Sequence, residues 1–419
     1  MKYKKSLGIS VIASIVMILS GCQAVGDSVT LIDKPKLADE KQEDIKDVLE
    51  KLLPEDAEYA TAANSIPKQS VFMEDIDNDG IQEVYALYYD TKQNNSIHLL
   101  VLKEVDGNWN KIADTNTNYN YLDYFKLEDL DGNGIKEVIV GVGFKDEVKK
   151  NQLLIYKLQG TGLYNVVNTD YEWVQIEDDN ADNISDIVLL KGDATLKQTA
   201  DLYSYENQEL KLLSSIELNP DAYHENIISG NLVDGNKAIF IDSGIGAHSM
   251  LTEIIAIDKR KLVKVGDDYD GTLLKEYPLY STDINEDGII DVGGMYIPKG
   301  YEDAAFAEIP FIYTYNDYSI DGTKEIIEQR FSDDMHGFYI TIPLVWYNKV
   351  TIEKLDNGVR LISDEDQKTL FEVKWSELSS YKGDSTKLGE TKNFIFYTEL
   401  TDDTLISVDN FHLIENDFD

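Results

Sequence analysis

Short apolar runs alternate with polar turns along most of this chain, and the spacing of the apolar positions predicts strands. From about residue 68 to residue 330, an acidic loop leads into one strand, and two further strands then form a hairpin. β-Branched and aromatic residues fill these runs, with Asp, Asn and Gly between them. The predicted hairpins join residues 97–103 to 109–113, 153–158 to 163–168, 202–205 to 210–216, 253–257 to 262–265, and 309–315 to 325–329, where the last segment could instead be helical.

A helical pattern precedes these strands. Residues 40–53 place apolar side chains at helical spacing, and Pro54 follows them. The polar side is acidic, which disfavours a helix that lies on a membrane. We therefore predict one amphipathic helix that packs on the main domain through Ile45, Val48, Leu49 and Leu52.

The acidic loop recurs at a regular interval. Clear copies begin at Asp75, Asp129 and Asp178, which are 54 and 49 residues apart, and at Asp283, 105 residues further on. A degenerate copy near residue 230 divides the longer interval. A period near 50 residues with about four strands per unit is typical of β-propeller blades, which bury their faces on one another. The sequence predicts a mainly β chain with a propeller of about five blades, and up to seven; a sandwich or an open β-array is the alternative.

The period is lost after about residue 331, although strand-like runs continue. We predict that the propeller spans residues 39–330, with the helix leading in, and that residues 331–419 form a small β-rich α+β domain. The C-terminal strands could instead complete the propeller.

The N-terminus has the pattern of an export signal. Three lysines precede a 13-residue apolar run, and Ser20-Gly21-Cys22 follows it. This run is too short to span a bilayer by itself. The stretch resembles a bacterial lipoprotein lipobox, which implies that residues 1–21 are a signal peptide and that Cys22 is the lipid-modified N-terminus. An ordinary signal peptide with a chance cysteine is the alternative.

Composition supports a location outside the cytoplasm. Residues 22–38 are polar and aperiodic, which predicts a tether. Cys22 is the single cysteine, so no disulfide can form within the chain. Removal of residues 1–21 takes away three lysines and no acid, which moves the net charge from −40 to −43 and disfavours nucleic acid and anionic membrane surfaces as partners. We expect a body anchored to the bacterial cell membrane by lipid alone.

The acidic loops carry oxygen-bearing side chains at alternate positions. Counted from the first Asp, positions 1, 3, 5 and 9 are Asp, Asn or Glu, position 6 is Gly or Asn, and position 7 is Ile. A chain that bends around a cation needs a left-handed residue at position 6, while position 7 can offer its carbonyl and send its side chain into the core. The pattern predicts up to four Ca²⁺ sites. The predicted ligands are Asp75, Asp77, Asp79, Ile81 and Glu83; Asp129, Asp131, Asn133, Ile135 and Glu137; Asp178, Asn180, Asp182, Ile184 and Asp186; and Asp283, Asn285, Asp287, Ile289 and Asp291.

These loops are not EF-hands, because position 12 carries Ala86, Val140, Leu189 and Gly294 instead of a bidentate Glu. They resemble FG-GAP and VCBS-type repeats, the calcium-loop blades of integrin alpha-chain propellers and their bacterial relatives. The resemblance covers roughly residues 70–330 and implies Ca²⁺ in loops at the blade edges. Asn183 in place of Gly departs from the pattern in the third loop. Plain Asp, Asn and Gly turns are the alternative.

No catalytic constellation stands out in the sequence. The segment 243–249 places His248 near two serines but lacks a Gly-x-Ser-x-Gly elbow. The tryptophans (Trp109, Trp173, Trp346 and Trp375) could form a sugar platform, although such residues more often belong to the core. We expect a non-enzymatic, lipid-anchored cell-surface protein that binds a protein or a glycan, with activity sought near residues 230–249. The alternative is an extracytoplasmic carbohydrate-active or other hydrolytic enzyme with its site in loops at the propeller mouth.

Overall fold

The computed structural model describes residues 39–414, except 66, 147–149, 161, 181, 193–196, 268–269, 382, 384 and 401–405. The predicted signal peptide, Cys22 and the tether therefore lie outside the described residues. Within the described ranges, no helix is both long enough and apolar enough to cross a bilayer.

The described chain contains helix α1 (Asp39–Leu52) followed by strands that form six antiparallel sheets, here called blades 1 to 6. Blade 1 comprises β1 (Ala57–Tyr59), β2 (Val71–Glu74), β3 (Glu83–Asp90), β4 (Ser96–Val105) and β5 (Asn108–Asn116). Blade 2 comprises β6 (Tyr121–Glu128), β7 (Glu137–Gly143), β8 (Asn151–Gln159) and β9 (Gly162–Tyr171). Blade 3 comprises β10 (Trp173–Glu177), β11 (Asp186–Gly192), β12 (Gln198–Glu206) and β13 (Glu209–Leu218).

The second half continues the series. Blade 4 comprises β14 (Tyr223–Asn231), β15 (Lys237–Ile245), β16 (Ser249–Asp258), β17 (Lys261–Val265) and β18 (Leu274–Lys275). Blade 5 comprises β19 (Val292–Tyr296), β20 (Ile312–Tyr318), β21 (Lys324–Asp333), β22 (Phe338–Thr341) and, from the C-terminal segment, β28 (Phe411–Leu413). Blade 6 comprises β23 (Val350–Leu355), β24 (Gly358–Ser363), β25 (Thr369–Glu377), β26 (Thr386–Glu390) and β27 (Phe394–Thr398). Short 3-10 helices lie at Phe306–Glu308, Leu344–Trp346, Leu378–Ser380 and Val408–Asn410.

Successive blades pack face to face, as a β-propeller requires. In β3, Tyr85 and Leu87 face the core shared with blade 2, whereas Val84, Ala86 and Tyr88 face α1. The same alternation creates apolar clusters between blades 2 and 3, 3 and 4, 4 and 5, and 5 and 6. Both faces of each inner strand are therefore buried, because side chains alternate across a strand. The predicted mainly β propeller fold is confirmed.

Helix α1 covers the outer face of blade 1. Ile45 and Leu49 are buried there, whereas Leu52 is 36% exposed. The predicted amphipathic helix is present, and it ends just before Pro54.

Residues beyond 330 add strands to the same stack. They supply blade 6 and the β28 strand that pairs with β22 of blade 5. The predicted boundary at residues 330 and 331 falls inside β21, which is a strand throughout and not helical at residues 325–329. The division into a propeller and a separate C-terminal domain stays a prediction.

Candidate functional site

The first three acidic loops each lead into an interior strand of a blade, and the fourth leads into the edge strand of blade 5. The first loop (residues 75–83) precedes β3, the second (129–137) precedes β7, the third (178–186) precedes β11 and the fourth (283–291) precedes β19. The first two touch through the Lys136 amide, which donates to the Ile76 carbonyl at 2.8 Å. The Ser185 hydroxyl donates to Glu128 at 2.8 Å and so links the third loop to blade 2. Neighbouring loops therefore lie side by side on one end of the propeller.

All four loops share one backbone design. The position-1 carboxylate accepts the amide protons of positions 5 and 6, and the position-5 side chain accepts the amide proton of position 7. These donor-acceptor distances are 2.7–3.1 Å in every copy. Position 6 is left-handed, as predicted, at Gly80, Gly134, Asn183 and Gly288.

Position 7 differs from the expectation. Its side chain does not enter the core, since Ile81 is 39% exposed and Ile184 is 38% exposed. Because the amide of position 7 is held by position 5, the side chain turns outward. In the first two loops position 2 fills the core instead, and Ile76 and Leu130 are fully buried there.

Position 9 connects the loop to its strand. Glu83, Glu137 and Asp291 accept the amide proton of position 2 in their loops at 3.1, 3.1 and 2.9 Å. Glu83 and Glu137 are fully buried. A buried carboxylate with one backbone partner has a second oxygen to satisfy, and a cation can do so.

Two of the loops bring three carboxylates to one point. Within the described chain, one oxygen each from Asp75, Asp77 and Glu83 lies within 4.8 Å of the others, and Asp129, Asp131 and Glu137 do the same. These two acidic clusters could hold a metal ion. They differ in what already lies beside them.

In the first loop, the cation is a lysine. The Lys103 ammonium lies 2.7 Å from Asp77, 2.8 Å from Asp79 and 2.7 Å from Glu83. Burial alone would lower the pKa of Lys103, but the hydrogen bonds to these carboxylates raise it. Lys103 therefore takes the place that a calcium ion would need, and the first loop does not fit the metal as it stands.

The second loop fits a metal ion. Asp131 Oδ1 and Glu137 Oε1 are buried and accept no hydrogen bond from the described residues. Burial raises the pKa of Glu137 to about 7, and the negative charge of Asp131 adds to this shift. Lys157 follows Glu137 by the same 20 residues that separate Lys103 from Glu83, yet no ion pair between Lys157 and a loop carboxylate occurs among the described residues.

The third and fourth loops lack the position-3 carboxylate. In the third, the Asn180 amide donates to Asp186 at 2.8 Å, and burial raises the pKa of Asp186 to about 6. In the fourth, the Asn285 amide donates to Asp287 at 2.9 Å, while Asp291 is 1% exposed with one oxygen unpartnered. Asp291 also contacts a carboxyl group outside the loop, that of Asp317.

These carboxyl groups predict an inverted pH dependence without metal. Glu137 and Asp186 have folded-state pKa values above the value of about 4 for an unfolded chain. The folded state thus holds protons that the unfolded state releases, so this stabilisation is complete below about pH 4 and is lost as the pH rises through the folded values. In EGTA, we expect the midpoint of thermal unfolding to fall between about pH 5 and pH 8.

Calcium should reduce that fall, because it binds the ionised carboxylates. Glu137→Gln, which cannot ionise, should flatten part of the pH profile in EGTA. Differential scanning fluorimetry across the pH range measures both effects. A profile in EGTA that rises steadily from pH 5 to pH 8 would contradict the prediction.

The degenerate copy near residue 230 is a hairpin turn. Asp234 accepts the amide of Asn236 at 3.3 Å and the amide of Ile320 at 2.8 Å. The Asp234 carboxylate thus links this turn to blade 5 through a hydrogen bond.

The segment 243–249 does not form a nucleophile site. Ser243 is fully buried in β15, whereas His248 is exposed in the turn that follows, with its ring 6.1 Å from that of Phe306. The four tryptophans also do not form a platform, because each packs against an apolar core cluster.

A cleft between blades 4 and 5 is the functional feature that the sequence patterns did not indicate. One face of blade 5 packs on blade 6, and its other face presents ring and polar groups towards residues 277–279, which follow blade 4. The cleft has a volume of about 860 Å³. It is lined by Tyr277, Pro278, Leu279, Tyr313, Tyr315, Arg330, Ser332, Asp334, Tyr339, Phe411, His412, Leu413 and Ile414.

Arg330 organises this cleft. Its guanidinium lies 4.5 Å from the ring centre of Tyr315 and 4.4 Å from that of Tyr339, and it pairs with Glu328. The Tyr339 and His412 rings stack at 4.7 Å with 20° between their planes. The result is a fixed row of flat surfaces, and Tyr277 at the edge is 43% exposed.

A second cavity of about 610 Å³ lies among the first strands of blades 2 to 4. Its charged groups are engaged internally; for example, the Lys126 ammonium donates to the Ile176 carbonyl at 2.5 Å and pairs with Glu128 at 3.4 Å. The described residues that line it include fewer aromatic side chains than those of the cleft, namely Tyr124, Phe125 and Trp173.

Comparison with known proteins gives no family. No protein-family model matches the chain, and no curated protein matches it in sequence. Among solved structures, the β-propeller domain of the Trilobed protease from Pyrococcus furiosus aligns at 11% identity over 74% of this chain and 94% of that one, with a TM-score of 0.28. Sqt1 from Chaetomium thermophilum aligns at 10% identity over 72% of each chain, with a TM-score of 0.32.

Proposed function

We propose that this protein is a lipid-anchored, calcium-stabilised propeller of the bacterial cell surface that binds a neutral glycan in the cleft between blades 4 and 5. The lipid anchor and the surface location rest on the lipobox pattern at Cys22. The proposal that the protein binds calcium is based on the second loop, where buried carboxylate oxygens accept no hydrogen bond from the described residues. The aromatic lining of the cleft carries the binding function.

The chemistry of the lining favours a sugar. Pyranose rings present patches of C–H groups that pack on aromatic faces, and their hydroxyls need donors and acceptors at the rim. Tyr277 and Tyr313 supply rings, and Ser332 and Asp334 supply polar groups. The volume of about 860 Å³ lies within the range of small-ligand pockets and accommodates a short oligosaccharide segment.

Charge favours a neutral glycan over an anionic one. The chain has a net charge of −40, and the single guanidinium in the cleft is already paired with Glu328. An anionic sugar would meet a repulsive field with no unpaired cation to offset it.

The cleft suits binding better than hydrolysis. Most glycosidases use two carboxyl groups on either side of the scissile bond. Among the described residues that line the cleft, Asp334 is the only carboxylate. This difference favours the binding protein over the hydrolytic alternative.

A screen of the detergent-purified full chain against neutral glycans and cell-wall fragments tests the proposal. Binding and product release are scored in the same wells. We expect saturable binding of a neutral oligosaccharide without turnover. Turnover would contradict the binding function and support the hydrolytic alternative. Binding of proteins without binding of any glycan would contradict the proposal that the ligand is a glycan.

A further inference from the structure

The residue that faces loop position 9 from the next strand differs between the blades. Glu83 pairs in register with Lys103 of β4. Val138 pairs with Tyr156, so Glu137 faces Lys157; Ile187 pairs with Tyr203, so Asp186 faces Ser204.

In blade 5 the facing residue is an acid. Val292 pairs with Asn316, so Asp291 faces Asp317. One position is thus a lysine in the first loop and an aspartate in the fourth.

We propose that the group in contact with position 9 decides which cation a loop takes: Lys103 replaces the metal in the first loop, and Asp317 adds a metal ligand in the fourth. Lys157 occupies the same register position in the second loop but forms no ion pair with a loop carboxylate among the described residues, so that loop keeps its place for a metal. The inference rests on the proposed calcium binding of the loops and is independent of glycan recognition. It assigns Asp317 to a divalent-cation site that the spacing within the loop does not reveal.

Burial carries the argument for Asp317. Asp291 is 1% exposed and Asp317 is 7% exposed, and Oδ1 of each is buried and accepts no hydrogen bond from the described residues. Their carboxyl groups are nevertheless in contact. Two adjacent buried carboxylates repel each other strongly unless a cation or a shared proton lies with them.

The surrounding negative charges favour any bound positive charge, and they favour a divalent cation more strongly than a proton because the attraction scales with charge. Asp283 and Asp287 add negative potential at the same point. The same loop carries Asn285 and Ile289, whose side-chain and backbone oxygens are further potential donors. Hard divalent cations such as Ca²⁺ bind sets of six to eight oxygens of this kind.

Lys103 shows the opposite solution. Its ammonium contacts Asp77, Asp79 and Glu83 within 2.8 Å and is 12% exposed. Because the Lys103 ammonium belongs to the chain, the carboxylates of the first loop need no cation from solution. The first loop is therefore expected to keep its structure in a chelator.

The test is calcium titration of the detergent-purified full chain by isothermal calorimetry, with thermal unfolding in calcium and in EGTA. Asp317→Asn should weaken the calcium affinity of one site by at least about tenfold. Loss of a residue that only hydrogen-bonds to a metal ligand already lowers metal affinity by that factor. The same variant should unfold at a higher temperature than wild type in EGTA, because the repulsion is removed. A residue with a merely structural role would not give this reversal.

Two further variants complete the design. Lys103→Gln should add one equivalent of bound calcium, and Asp303→Asn, an exposed charge-matched control, should change neither readout. If Asp317→Asn does not fold, Asp317→Ser copies the residue that the third loop carries at this position.

The outcomes separate the two proposals. Wild type that binds no calcium defeats the proposed calcium function and, with it, the role of Asp317. Wild type that binds calcium with an Asp317→Asn isotherm identical to its own overturns the Asp317 ligand alone. A Lys103→Gln chain with no additional bound calcium overturns the role of Lys103.

Discussion

EGTA should lower the thermal unfolding midpoint of this protein by several degrees, and added calcium should restore it. A ligand that binds only the folded state at a hundredfold excess over its Kd contributes about 2.7 kcal/mol per site. The chain has one cysteine and so no internal disulfide to limit the unfolded state. Loss of calcium from the second and fourth loops would remove the charges that hold buried Glu137 and Asp291 in place.

Matched variants identify the loops responsible. Glu137→Gln keeps an acceptor for the Leu130 amide but loses the charge, so it should lower the midpoint in calcium and reduce the difference between calcium and EGTA. Glu83→Gln makes the same change in the loop that contains Lys103, and it should lower both midpoints equally. Identical wild-type midpoints in calcium and EGTA would contradict the calcium role.

The loop backbones could be predicted because their interactions are local. The hydrogen bonds formed within the first loop, from Asp75 to Glu83, join residues no more than seven apart. The left-handed position was likewise marked by Gly80 itself. The position-7 error arose because burial depends on the strand that follows the loop, and Ile76 occupies that core space instead of Ile81.

The role of Lys103 could not be derived without strand register. Lys103 and Lys157 each follow a position-9 Glu by 20 residues, and this repeated interval is a signal that sequence comparison of the copies could have found. Its meaning depends on which residues pair across the hairpin. In the fourth loop the interval to Asp317 is 26 residues, so no fixed spacing points to it.

The cleft was hidden for a different reason. Tyr313 follows the buried Ile312, and Tyr339 lies between the buried Phe338 and Ile340, so these tyrosines occupy alternate positions as the side chains of any buried strand do. Whether such a face is covered or open depends on the neighbouring blade, and here residues 277–279 leave a gap. The same dependence on tertiary context explains why the sequence leaves residues 350–398 open between a separate domain and further strands of the propeller.

Arg330→Met should weaken binding of the best oligosaccharide from the glycan screen by roughly ten- to a hundredfold. The guanidinium is the spacer that holds the Tyr315 and Tyr339 rings in place, and each cation–π contact is worth about 0.5–2 kcal/mol. Loss of both contacts should release the ring of Tyr339 and, through their stack, that of His412. A tenfold change in Kd corresponds to about 1.4 kcal/mol. A ligand that has to order the released rings again loses at most the energy of the two contacts, which spans this range.

Arg360→Met is the matched control for this variant. Arg360 lies in blade 6 and pairs with Glu353 and Glu372, each at 2.7 Å, but it does not line the cleft. It should therefore cost stability without a change in Kd, whereas Tyr277→Ala, at the exposed edge of the cleft, should weaken binding with little effect on stability. Calorimetric titration of the three variants beside wild type measures the differences. Equal affinities for wild type, Arg330→Met and Tyr277→Ala would place the glycan elsewhere, because no ligand seated on these rings can be indifferent to both changes.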